Sequence, residues 1–127
     1  MLGATDRPIS GWTPRFIEKV VDTIRRTAAF GALDLMMNND PAQAPQRDLL
    51  LSILKKCDEF GHHHYEHEVA YGRAALLKRD FAEARRYRQS ALAGVEGDAG
   101  LSEGDRKPMR AFIERHLPEA ELAESRS

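Results

Sequence analysis

Four of the five histidines fall in one run, Gly61-His62-His63-His64-Tyr65-Glu66-His67-Glu68, together with two carboxylates. If this run is helical, His63 and His67 lie four apart on one face, the spacing at which two imidazoles share a zinc or nickel ion. His62 with Glu66, and His64 with Glu68, repeat that spacing on neighbouring faces. Two ligands do not complete a site. Structural zinc takes four protein ligands and catalytic zinc usually three, so another must come from elsewhere, with Cys57 and His116 as the candidates. The run lacks the second histidine of a zinc-protease helix, and Glu59-x-x-His62 has no second copy to make a di-iron pair. Two other accounts use the same residues. Three consecutive histidines must point three ways, so some are solvated or pack on Tyr65 or Phe60. Crowded imidazoles flanked by Asp58, Glu59, Glu66 and Glu68 would also titrate near neutral pH. The sequence reading favours structural histidines with weak zinc or nickel binding and no resident cofactor.

Other chemistry is sparse. Arg73, Lys78, Arg79, Arg85, Arg86 and Arg88 form the one basic concentration, which could meet phosphates. It lacks the aromatic interleaving and helix-turn-helix pattern of a nucleic-acid reader, so a solvated face, centred on Arg85, Arg86 and Arg88, is the expectation. There is no glycine-rich phosphate loop and no Gly-x-Ser-x-Gly elbow. Cys57 falls on an apolar stripe and reads as core rather than nucleophile. An enzyme is not expected.

The chain has 127 residues, enough for one core. Its 19 lysines and arginines nearly balance 20 acidic residues, so no global field draws it to nucleic acid or membrane. Apolar runs are as short as Leu49-Leu50-Leu51, far from a bilayer crossing, and the N-terminus lacks a signal-peptide pattern. The lone Cys57 agrees with a reducing compartment. A cytoplasmic location is expected.

The elements that must position these residues are all helical. Residues 1–12 read as an irregular arm, with Gly3, Pro8 and Gly11 opposing regular structure. Thr13-Pro14 starts a helix whose apolar set, Ile17, Val20, Val21, Ile24, Ala28, Gly31 and Leu35, recurs to about Met37. After a proline-containing loop, a second helix begins near Gln46 or Asp48 and buries Leu50, Ile53, Leu54 and Cys57. A break is expected at Gly61. Asp80 caps another helix, with Glu83 reciprocating, which ends at Gly94. Asp105 is expected to cap the next, with Pro108 in its first turn and Pro118 beyond its end. Residues 13–118 form the helical domain, an all-α bundle of about five helices, and 119–127 a frayed tail.

From Tyr65 to Leu92 the chain resembles one tetratricopeptide repeat. Tyr71-Gly72 sits at the large-then-glycine position, Ala75 follows on the same helix, Asp80-Phe81 marks the turn, and Ala84 with Ala91-Leu92 completes the second helix. Glu68, Arg79, Arg88 and Glu96 depart from that pattern, and the resemblance covers about a quarter of the chain. It implies a hairpin in which Gly72 and Ala84 meet at a tight crossing. It also implies a recognition groove on the face carrying His62, Glu66, Val69, Arg73 and Leu77. The function expected on this basis is a non-catalytic adaptor or regulator that binds another protein through that face. A metal-binding protein using the His62–His67 run is the alternative, and a nucleic-acid or acidic-partner binder a weaker one.

Overall fold

The computed structural model describes residues 13–38 and 40–123. The expected arm at 1–12 lies outside the described residues, as do positions 124–127 of the tail. Five helices are present, α1 (Pro14–Asn38), α2 (Ala44–Glu59), α3 (Tyr65–Leu77), α4 (Phe81–Glu96) and α5 (Glu103–His116), followed by a short α6 (Glu119–Ala123). A 3-10 turn at Pro41–Gln43 precedes α2. No strand occurs among the described residues, and none of their helices is long and apolar enough to cross a bilayer.

The starts and stops follow from local chemistry. Thr13 Oγ1 accepts from the Phe16 amide at 3.1 Å and opens α1. The break at Gly61 is real and has a definite form. The Gly61 amide donates to the Asp58 carbonyl and the His62 amide to the Cys57 carbonyl, at 3.1 and 2.9 Å, with Gly61 at φ +85°. This 6→1 plus 5→2 pair is a Schellman cap, in which a left-handed residue favours glycine. The same motif closes α3, through Arg79 N to Leu76 O and Asp80 N to Ala75 O, but the left-handed residue is Arg79 at φ +61°. Asp80 caps α4 as expected, and the helix runs past Gly94 to Glu96. The start of α5 differs from the expectation. Ser102 is the cap, and Asp105 is its reciprocating third residue, because Ser102 Oγ and the Asp105 carboxylate satisfy each other's amides.

The core gathers Ala28, Ala29, Ala32, Leu33 and Met36 of α1, Leu54 of α2, Val69 and Ala70 of α3, Ala91 and Val95 of α4, and Ile113 and Leu117 at the end of α5. The most extensive helix pair is α3 with α4, and α1 packs on both α2 and α3. The hairpin is therefore present, but its closest approach is different from the one expected. A Cβ on Gly72 would lie 2.9 Å from Leu117 Cδ1 and 3.0 Å from Tyr87 Cβ, so Gly72 faces those two residues. Ala84 instead clusters with Ala75 and Leu122. That cluster also corrects the frayed tail: Leu122 on α6 is 2% exposed and seated on the hairpin.

Candidate metal-binding site

Asp58 is the centre of the histidine region. It stands in the last turn of α2, and the Schellman reversal at Gly61 brings the chain back over it. Its Oδ1 lies 2.8 Å from His63 Nδ1 and 2.6 Å from His67 Nδ1. Its Oδ2 accepts the Tyr71 hydroxyl at 2.6 Å. Two imidazole nitrogens thus converge on one carboxylate oxygen, and the three residues form a set whose donor atoms all lie within 4.8 Å of one another. Tyr71, on the same side of α3 as His67 one turn on, fixes the carboxylate from behind.

His63 and His67 come together, but not by the helical spacing expected of them. Because α3 begins at Tyr65, His62, His63 and His64 precede the helix, so the supposed helical pairs His62 with Glu66 and His64 with Glu68 do not exist as such. His63 and His67 meet because both are drawn to Asp58. His64 is the N-cap of α3, its Nδ1 accepting the Glu66 amide at 3.2 Å. Neither Cys57 nor His116 joins the set. Cys57 is half-buried, and burial together with Asp58 pushes its thiol up, which suits a packed side chain and not a thiolate.

Electrostatics divide the histidines. Burial lowers the pKa of His67, against the opposing pull of Asp58, and His67 is fully buried. Burial alone would raise Asp58, but hydrogen bonds from Tyr71, His63 and His67 outweigh it and hold the carboxyl below its usual range. Burial lifts the Tyr71 phenol well above its ordinary value, reinforced by its bond to Asp58, so it stays a donor. His64 is lowered mainly by burial, which keeps its nitrogen free to cap α3. His67 Nε2 is enclosed without a partner. Its neutral form therefore carries the proton on Nδ1, facing Asp58, since an unmet acceptor is tolerated better than an unmet N–H. His63 is 49% exposed at its side chain and borders a charged cleft of about 690 Å³ shared with Arg15, Glu18 and Lys19. The site is thereby closed on the His67 side and open on the His63 side.

The face expected to form a groove is covered. Val69 is 0% exposed in the core, and Glu66 is buried by Arg25 of α1, whose Nη1 reaches its Oε1 at 2.9 Å. Arg73 donates to the His116 carbonyl at 3.2 Å and to Glu121. Leu77 packs against the core, and His62 borders two open clefts. The reason is physical: α1 packs on α3 at Glu66, and the end of α5 meets it at Arg73.

The basic face is likewise occupied. Arg85 donates to the Leu122 carbonyl and Arg88 Nε to the Leu117 carbonyl, both at 3.0 Å. Arg88 also pairs with Glu114, while Arg86 pairs with Glu83 and lies over the Tyr87 ring. Arg73, Arg85 and Arg88 thus hold the carbonyls that end α5 and α6. No family model, curated protein or solved structure matches the chain.

Proposed function

We propose that the protein binds one divalent ion, zinc or nickel, through Asp58, His63 and His67, tying the end of α2 to the start of α3. The observation that carries this is the convergence of two Nδ1 atoms on Asp58 Oδ1, with Tyr71 orienting the carboxylate. Two imidazoles and a carboxylate suit borderline divalent ions, and three protein ligands leave at least one position open. The open side is that of His63, where the charged cleft supplies an approach. The adaptor expectation has lost the face on which it rested, since Glu66, Val69 and Arg73 are engaged within the fold.

Affinity is limited by His67. An ion on Nδ1 moves the proton to Nε2, which is enclosed without an acceptor. Such an unmet donor costs about 1–3 kcal/mol. Binding weaker than that of a dedicated structural zinc site is expected.

Titration calorimetry of the chelator-treated chain with Zn²⁺ and with Ni²⁺ tests this. One ion per chain is expected, and at a hundredfold excess over Kd it should stabilise the fold by about 2.7 kcal/mol. His63→Ala, at an exposed position, should keep the melting temperature of the metal-free protein and abolish this binding. A one-to-one site that survives His63→Ala and Asp58→Asn would defeat the assignment.

A further inference from the structure

On the other side of α1, a cleft of about 1030 Å³ opens between one stripe of that helix and the last turn of α5. Three flat rings line it in sequence. Phe30, 42% exposed, meets Phe112 edge-on at 5.5 Å, and Phe112 meets His116 edge-on at 4.9 Å. His116 is 8% exposed, and its Nδ1 is enclosed with no partner. Burial, Arg115 and Arg73 lower its pKa and keep the ring neutral. The unmet nitrogen is cheaper as an acceptor than as an N–H, which places the proton on Nε2, the nitrogen left to meet the cleft. Arg26 and Arg115 stand exposed at the rim, and neither takes part in an ion pair among the described residues. Among the described residues, Asp34 is the single carboxylate lining the space.

These features share one complement. An exposed phenylalanine beside two more rings offers a surface for a flat apolar body. Two uncommitted guanidiniums and a ring N–H offer donors to an anionic group at its edge. Arg25 and Arg88, by contrast, each have a carboxylate of their own, Glu66 and Glu114. We propose that this cleft binds a small planar anion, an aromatic ring system bearing a carboxylate or a phosphate. The ring lies against Phe30 and Phe112, and the anionic group lies between Arg26 and Arg115 with His116 donating to it. The site shares no ligand residue with Asp58, His63 and His67, so it stands or falls independently of the metal reading.

The test uses the full chain in chelator, titrated with naphthoate, naphthyl phosphate, neutral naphthol and inorganic phosphate, and followed by amide and imidazole ¹⁵N spectra. Naphthoate or naphthyl phosphate should shift the amides of residues 26–34 and 112–116 together with the His116 ring nitrogens. The tighter of the two identifies the anionic group. Arg26→Ala with Arg115→Ala, both surface positions, should weaken that ligand about tenfold or more with the melting temperature unchanged. Phe30→Ala should weaken it as well. Naphthol binding as tightly as the anions would overturn the electrostatic half of the proposal. Inorganic phosphate binding as tightly as naphthyl phosphate would overturn the aromatic half. Saturable binding untouched by the double arginine variant, or no binding of either anion, would overturn the whole.

Discussion

The two halves of α3 are built on different physics. Its first half, from Tyr65 to Tyr71, sets buried polar groups beside the core residues Val69 and Ala70: Glu66 meets Arg25, and His67 and Tyr71 meet Asp58. Its second half, from Gly72 to Leu77, is close-packed: Gly72 admits Leu117 and Tyr87, and Ala75 lies with Ala84 and Leu122. Close packing resists any added volume and is indifferent to pH. The polar groups of the first half depend in addition on each keeping its charge state and partner. One helix thus carries both the anchor of the fold and its most chemically responsive part.

The largest effect should come from overfilling the packed half. Gly72→Leu must displace the Leu117 methyls and Tyr87 Cβ, which moves only with its backbone, since even a Cβ would sit about 3 Å from both. A loss near the upper end of roughly 1–3 kcal/mol is expected in urea unfolding. The metal affinity of the remaining folded protein should be unchanged. Coupled loss of both would mean the two halves are not separable.

Acidification should act on the other half. His67 and His64 have folded pKa values below their unfolded ones, so the unfolded chain binds the extra protons as pH falls below about 6.5. Their contribution to stability is intact above that pH and is lost below it, at no more than about 1.4 kcal/mol per pH unit for each group. Asp58, held low, adds its loss only below about pH 4. Between pH 7 and 5, hydrogen-exchange protection, taken relative to the intrinsic rate at each pH, should fall first at the amides of residues 64–70, ahead of 72–77. A uniform fall in protection along α3 would erase the distinction drawn between its halves.

The smallest effect concerns the end of the packed half. Arg79 holds a left-handed conformation that glycine adopts without strain, a relief of about 1 kcal/mol. Its guanidinium lies 5.3 Å from the Phe81 ring centroid, a contact worth roughly 0.5 kcal/mol at an exposed site. Arg79→Gly should therefore raise the urea midpoint slightly. A lowered midpoint would show that the Phe81 contact outweighs the backbone strain.

The packed half was legible in the sequence and the polar half only partly so, for the same physical reason. Small residues at helical spacing announce a close approach whatever lies opposite, so Gly72, Ala75, Ala84 and Ala91 predicted the hairpin even though Gly72's neighbours are Leu117 and Tyr87. A buried polar group needs a named partner, and partners come from elsewhere in the chain. Asp58 looked like one more flanking acid until the Gly61 reversal placed it under His63 and His67. Glu66 and Arg73 read as exposed recognition residues because nothing local announced Arg25 or the His116 carbonyl. A partial signal was available: a glycine-closed helix folds the chain back over its last turn, the turn that carries Asp58.

The carbonyls that end α5 and α6 are held by arginines of the hairpin, and Leu122 covers Ala75 and Ala84. This ordering has a meaning for biosynthesis. As the chain leaves the ribosome, α3 and α4 emerge while the residues that seal them are still being added. Through that interval Leu117 and Leu122 do not yet cover Gly72 and Ala84, and Arg73 and Arg88 lack the carbonyls they hold in the finished fold. Their charge keeps the bare surface hydrated and poorly suited to sticking to another nascent chain, until residues 116–122 arrive and take up the same donors.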